Sequence, residues 1–124
     1  MQFLQLVFVP VSDQDRAKSF YVDMLGFEVL ADEPMGPDRR WLQVGPKGAE
    51  TSIVLATWLE RIEPGAIENL VFQTDDIEAD VTELRERGLE LVGDGIQDMP
   101  WARVARLDDP DGNRLAVQTR LAGG

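Results

Sequence analysis

The 124-residue chain contains no cysteine and no histidine. Without cysteine there is no disulfide framework, no thiolate metal site and no thiol nucleophile, a composition that fits a reducing cytoplasm. Without histidine the commonest metal ligand and the commonest general base are both missing, so any chemistry falls to carboxylates, hydroxyls, amides or a bound cofactor. Cations are scarce as well. Lys and Arg number 12 against 23 Asp and Glu, for a net charge of −11. That balance argues against a nucleic-acid partner, because phosphate binding needs clustered cations, and it suits a solvated acidic surface or a cationic ligand. No apolar run approaches the ~20 residues of a membrane span, and the N-terminus lacks the basic region and cleavage site of a signal peptide. A soluble cytoplasmic protein is the expectation.

What is present is a repeat. An apolar strand, an acidic cap, an amphipathic helix closed by glycine and a second strand run from Leu6 to Leu30 and again from Asn69 to Val92. Placing Asp13 on Asp76 and Gly26 on Gly88 lays Phe27-Glu28-Val29-Leu30 over Leu89-Glu90-Leu91-Val92, an offset of about half the chain. Two copies of one supersecondary unit follow, neither able to bury its own apolar face alone.

Within the first copy, Phe3 to Val11 reads as a strand covered on both faces, and Ser12 and Asp13 offer cap oxygens. Ala17, Phe20, Tyr21, Met24 and Leu25 make one helical stripe ended by Gly26. Ala31 to Arg39, with two prolines and a glycine among charges, reads as a long loop suited to a lid. Arg40 to Val44 and Thr51 to Thr57 are strands around the Gly45-Pro46-Lys47-Gly48 turn. Trp58 to Ile67 bridges the copies, with a helical turn expected at Trp58 to Arg61. In the second copy Asn69 to Gln73 is a strand, Asp75 or Asp76 caps a helix with the stripe Ile77, Val81 and Leu84, and Leu89 to Val92 is a strand. A loop from Gly93 to Pro100 precedes a hairpin of Trp101 to Leu107 and Arg114 to Thr119 around Asp109-Pro110-Asp111-Gly112-Asn113. Leu121 to Gly124 is an expected frayed tail. The spacing of Asp108, Asp109 and Asp111 favours a turn over a calcium loop, since Pro110 sits where φ near −65° is wanted.

Two tandem βαβββ units, the stretch VSDQDRAKSFYVDMLGF, its echo TDDIEADVTELRERGLEL and the terminal DPDGNRL together resemble the vicinal oxygen chelate superfamily. That group includes glyoxalase I, extradiol dioxygenases, methylmalonyl-CoA epimerase, fosfomycin-resistance enzymes and bleomycin-resistance proteins. The resemblance implies an α+β fold: one domain over residues 1–124, with modules at about 3–57 and 68–119 forming a curved, partly open eight-stranded sheet with helices outside. It also implies a homodimer. In metal-dependent members four inward side chains, usually His and Glu, hold one divalent ion. The matching positions here are Leu6, Val54, Asn69 and Ala116. Three are hydrocarbon and one is an amide, a poor set for any divalent transition metal. No resident cofactor is therefore expected. A slip of one residue would bring in Gln5 or Glu68 and supply at most one carboxylate.

Strand alternation places Phe8 beside Leu6, turns Trp41 and Gln43 inward, and gives the second copy's share to Asn69, Val71, Gln73, Arg114, Ala116 and Gln118. Trp101 and Arg103 stand at the expected rim, where flat rings stack on planar or cationic ligands and a guanidinium reaches an anion; a surface salt bridge is the alternative for Arg103. No residue carries a catalytic signature: Ser12 has no histidine to activate it. The leading expectation is a metal-free protein that binds and sequesters a small molecule, in the scheme of the bleomycin-resistance members. Two alternatives stay open. One is a metal-dependent lyase, isomerase or dioxygenase using ligands such as Glu68 and Glu50, and the other is a partner-binding or regulatory module.

Overall fold

The structure, a computed structural model, describes residues 1–121. Strands β1 (Leu6–Pro10), β2 (Glu28–Pro34), β3 (Arg40–Gly45) and β4 (Ser52–Ala56) form an N-terminal sheet in the order β1-β4-β3-β2. Strands β5 (Leu70–Gln73), β6 (Gln97–Asp98), β7 (Ala102–Asp108) and β8 (Arg114–Arg120) repeat the order as β5-β8-β7-β6. In each sheet the first and last strands pair in parallel and the rest antiparallel, which is the βαβββ connectivity twice over. The fold is α+β, with two mixed sheets and no closed barrel.

Helix α1 (Gln14–Lys18) continues into a π-helical stretch, Ser19–Met24. The Asp13 side chain caps it by accepting from the Arg16 N–H at 3.0 Å. Gly26 follows at φ 79°, a left-handed position that a side chain resists. Helix α2 (Ile77–Glu86) is capped by Asp76, which accepts from the Ala79 N–H at 3.1 Å, and Gly88 at φ 90° follows its end. Ile77, Val81 and Leu84 are its buried stripe, as their spacing dictates.

The helix-facing sides of the two sheets share one core. Val9, Val11, Leu42, Val44, Ile53 and Leu55 from the N-terminal sheet pack with Ala17 and Tyr21, and the same cluster takes in Leu84, Leu107 and Leu115 from the second module. The Phe27 and Phe72 rings meet across the modules with centroids 5.2 Å apart.

Polar contacts fasten the same junction. The Asp109 carboxylate accepts from the Tyr21 hydroxyl at 2.8 Å, the Asn113 side-chain amide at 2.9 Å, and the backbone N–H groups of Asp111 and Asn113, each at 2.9 Å. Asn113 also donates to the Pro10 carbonyl at 2.8 Å and accepts from the Ile67 N–H at 3.1 Å. Asp111 accepts from the backbone and side chain of Ser12 and pairs with Arg16 at 3.3 Å. The DPDGN turn is thus a clamp between modules. Burial, reinforced by the Asp109 carboxylate, holds the Tyr21 phenol far above its ordinary pKa of 10.0.

Several local expectations need correction. Ala31 to Pro34 is strand and not lid: Asp32 pairs with Leu42 and Glu33 with Trp41, leaving only residues 35–39 as a connection. Asp32 is held there by Arg40 at 2.7 Å and Lys18 at 2.8 Å, and these contacts put its carboxyl well below the usual range. Conversely, Leu89 to Val92 forms no strand. The chain turns at Gly93 and Gly95, both at positive φ, and the second module's counterpart of β2 is the two-residue β6 inside the expected loop. Trp58 to Arg61 bends without a helical turn, and β1 begins at Leu6 rather than Phe3. Of the expected tail, Leu121 donates its N–H to the Trp101 carbonyl at 2.9 Å, and residues 122–124 lie outside the described residues.

Candidate functional site

The sheet faces turned away from the shared core carry most of the candidate residues. On the N-terminal sheet, Leu6 lies opposite Ser52, and Phe8 and Gln43 both lie opposite Val54, so these side chains share one face with Trp41. The Phe8 and Trp41 rings meet edge to face with centroids 5.7 Å apart. The Trp41 indole N–H donates to the Gln43 carbonyl oxygen at 3.1 Å, and the Gln43 amide donates to Ser52 Oγ at 2.8 Å. This chain fixes the amide orientation and holds the indole upright as a wall. Val54 is fully buried beneath them, Leu6 is half-buried, and Phe8 remains 39% exposed. Ser52, buried and joined to Gln43, was not foreseen from the sequence; its place opposite Leu6 makes it part of this face.

On the C-terminal sheet, Val71 lies opposite Ala116 and Gln73 opposite Gln118. Strand β7 adds Val104 opposite Gln118 and Arg106 opposite Ala116. Ala116 and Val104 are buried with Ala102 in a small cluster, whereas Val71 is 45% exposed. Asn69 is exposed just before β5, and Gln73 turns its amide to the Thr74 carbonyl at 2.9 Å. Arg114 pairs with Asp108 at 2.7 Å.

Trp101 and Arg103 are not part of either surface in the way their expected rim positions imply. Trp101 lies exposed in the bend before β7. Arg103 projects from the opposite face of β7, where it pairs with Glu78 of α2 at 3.2 Å and Asp98 at 3.1 Å, contacts that raise its pKa. Arg106, Arg114 and Arg120 share a face with Ala116, and of these Arg106 lies directly opposite it.

No strand of one sheet pairs with a strand of the other among the described residues, and the buried clusters join the sheets only through their helix-facing sides. The chain therefore brings Leu6, Phe8, Trp41, Gln43 and Val54 together on one surface and Val71, Ala116 and Gln118 on another, without closing the two over each other. A different concavity lies on the helix side between the modules. This cleft of about 260 Å³ is floored by Phe27, Phe72, Leu84, Leu107 and Leu115, with Lys47 and Arg87 among its charged lining, and contains only Gln73 of the sequence candidates.

The model of the Glyoxalase/Bleomycin resistance protein/Dioxygenase superfamily matches residues 3–117. The chain belongs to this superfamily. Among solved structures it is similar to TnmS3, an antibiotic binding protein from Streptomyces sp. CB03234, with 45% identity, 98% of each chain covered and a TM-score of 0.90. A glyoxalase/bleomycin resistance protein from the same organism is 48% identical over 93% of this chain and 98% of its own, with a TM-score of 0.83. The uncharacterized protein YetH of Bacillus subtilis (strain 168) is 37% identical, covering 86% of this chain and 89% of YetH.

The divalent metal that the superfamily implies does not fit the residues at the corresponding positions. Leu6, Val54 and Ala116 offer no donor atom and Asn69 offers only an amide. Among the described residues no three of His, Cys, Asp and Glu converge in a way that could hold an ion. The substitute ligands Glu50 and Glu68 are both exposed and lie outside the strands that carry Leu6, Val54 and Ala116. A surface with an aromatic wall, an aliphatic floor and an oriented amide is suited to binding an organic molecule by stacking and hydrogen bonding.

Proposed function

We propose that this superfamily member is a metal-free small-molecule binding protein that sequesters a planar organic ligand. The observation that carries the reading is the open face of the N-terminal sheet. There the Phe8–Trp41 pair and the Trp41–Gln43–Ser52 hydrogen-bonded chain stand over Val54, a hydrocarbon in a position that holds a metal ligand in metal-dependent relatives. A preoriented ring and amide on a rigid strand bind with little ordering cost. The likeness to an antibiotic binding protein at 45% identity over nearly the whole chain supports the same reading.

The hollow is completed by a second copy. Both outward faces leave apolar side chains in solvent, Phe8 at 39% and Val71 at 45% exposure, and a twofold pairing lays the N-terminal sheet of each copy against the C-terminal sheet of the other. Two equivalent sites follow. The candidates Leu6, Phe8, Trp41, Gln43 and Val54 come from one copy, and Asn69, Val71, Gln73, Ala116 and Gln118 from its mate.

The test is a thermal-shift and calorimetric screen of the purified protein against planar aromatic antibiotics, run with and without EDTA, alongside light scattering for mass. The expected result is a dimer whose Tm rises with ligand, unaffected by chelator, and a Trp41→Ala variant that loses at least ~10-fold in affinity, about the value of a stacked aromatic contact. A monomer at micromolar concentration, or a ligand response abolished by EDTA and restored by one divalent ion, overturns the reading.

A further inference from the structure

We infer that Arg106 is the specificity-determining cation of this hollow and that the ligand it selects carries an anionic oxygen group, a carboxylate or an ionised enol or phenol. This rests on the proposed small-molecule role of the same surface. In a chain with nearly twice as many acids as bases, guanidinium groups readily find carboxylates. Arg103, three residues earlier on β7, has two, and Arg114 on the neighbouring strand has one. Arg106 is half-buried yet makes its hydrogen bond to a neutral amide, the Gln97 carbonyl oxygen at 3.1 Å, through Nη1.

Its position gives that charge a purpose. Register places Arg106 directly opposite Ala116, with Val104 two residues away on the same face, so the guanidinium lies beside a small buried residue and an aliphatic floor. A small neighbour leaves room for a ligand group to approach. A planar fork with four of its five N–H donors not engaged by Gln97 matches the two oxygens of a carboxylate, or the adjacent oxygens of an ionised hydroxy-ketone. Gln97 holds the side chain across the face of the sheet without neutralising it. The aromatic rim alone suggests a cation, and the partnering of Arg106 reverses that preference.

Three anthracene probes of matched shape test this by fluorescence titration of the full chain: anthracene-9-carboxylate, 9-anthracenemethanol and 9-(aminomethyl)anthracene. A charge-assisted pair predicts that the carboxylate binds at least ~10-fold more tightly than the alcohol, and the ammonium more weakly than either. Arg106→Gln should erase the carboxylate preference and leave the Kd of the alcohol within about twofold, while Arg106→Lys, which keeps charge but not the fork, should retain part of it. If Arg106→Gln does not fold, the wild-type preference must fall as NaCl rises from 50 to 500 mM, an ionic response a neutral contact lacks. Binding of the alcohol with no preference for the carboxylate, or a preference that survives in Arg106→Gln, overturns the role of Arg106 and leaves the hollow standing. Failure of all three probes to bind overturns the small-molecule reading and this inference with it.

Discussion

Tyr21 is the only tyrosine in the chain, and it sits at the junction of the modules with no exposed surface. Its hydroxyl is one of the donors that satisfy the buried Asp109 carboxylate. Replacement by Phe keeps the ring and its edge-to-face contact with Phe20, but removes a hydrogen bond to a charged acceptor. That is a loss of about 1.5–3 kcal/mol. For a chain of this size, Tm falls by about 4 °C per kcal/mol, so Tyr21→Phe should melt roughly 6–12 °C below wild type at pH 7 and equal protein concentration.

The pH dependence separates this hydrogen bond from mere packing. The phenol's folded pKa is raised above its unfolded value of 10.0, so its contribution is fully present below pH 10 and is lost as pH rises beyond that. Between pH 10 and the far higher folded value, this one group should remove about 1.4 kcal/mol of stability per pH unit from wild type and nothing from Tyr21→Phe. The gap between the two proteins should therefore narrow above pH 10. Because no other tyrosine contributes, phenolate absorbance near 295 nm should appear only with the unfolding transition, followed in parallel by circular dichroism. A smooth titration near pH 10 in protein that is still folded would refute the reasoning, as would a Tm loss under about 2 °C in the variant.

Asp32 gives the opposite sign. Hydrogen bonds from Arg40 and Lys18 depress its folded pKa below 3.8, so its contribution is present at neutral pH and is lost as pH falls below about 4. In urea melts Asp32→Asn should cost about 1 kcal/mol at pH 7, discounted for partial solvent exposure, and the cost should shrink at pH 3; an equal cost at both pH values would disprove it. Gly65→Ala should be far more damaging than Gly26→Ala. A Cβ at Gly65 would meet the Asp111 carbonyl oxygen at 2.2 Å, whereas at Gly26 it meets nothing within 4 Å, although both have positive φ. About 1–2 kcal/mol is expected at Gly26 from backbone conformation alone and at least about 1 kcal/mol more at Gly65. Equal losses in denaturant midpoints would contradict the close approach of linker and clamp.

The fold was legible because its signals are local and repeated. Asp13 and Asp76 cap, Gly26 and Gly88 adopt the positive φ that ends each helical segment, and the stripe of α2 is the buried one. The start of β2 at Glu28 to Leu30 was legible, but its run to Pro34 and the place of its counterpart in the second module were not, since edge pairing decides both. Residues 31–34 look like loop but are held by β3 and by the Asp32–Arg40 pair, while in the apolar 89–92 segment the Leu89 N–H turns back to the Leu84 carbonyl and the Val92 N–H reaches the Arg106 carbonyl without forming a ladder. That the two modules meet through their helices, leaving the candidate faces apart, follows from long-range contacts such as Tyr21 to Asp109, which no periodicity encodes.

The choice of arginine on β7 is the instructive miss, because the sequence did contain its answer. Arg103 and Arg106 are an odd number of residues apart, so a single strand must send them to opposite faces, and composition favours neither. The Asp109–Asn113 turn breaks that tie. A tight connection of that length sets Asp108 opposite Arg114, and counting outward in steps of two then sets Arg106 opposite Ala116 and Val104 opposite Gln118, with Arg103 opposite Thr119 on the other side. Turn chemistry thus fixes which β7 arginine shares the face of Ala116, and α2 accounts for the other one, because Glu78 in its first turn meets Arg103 on the helix side of the sheet.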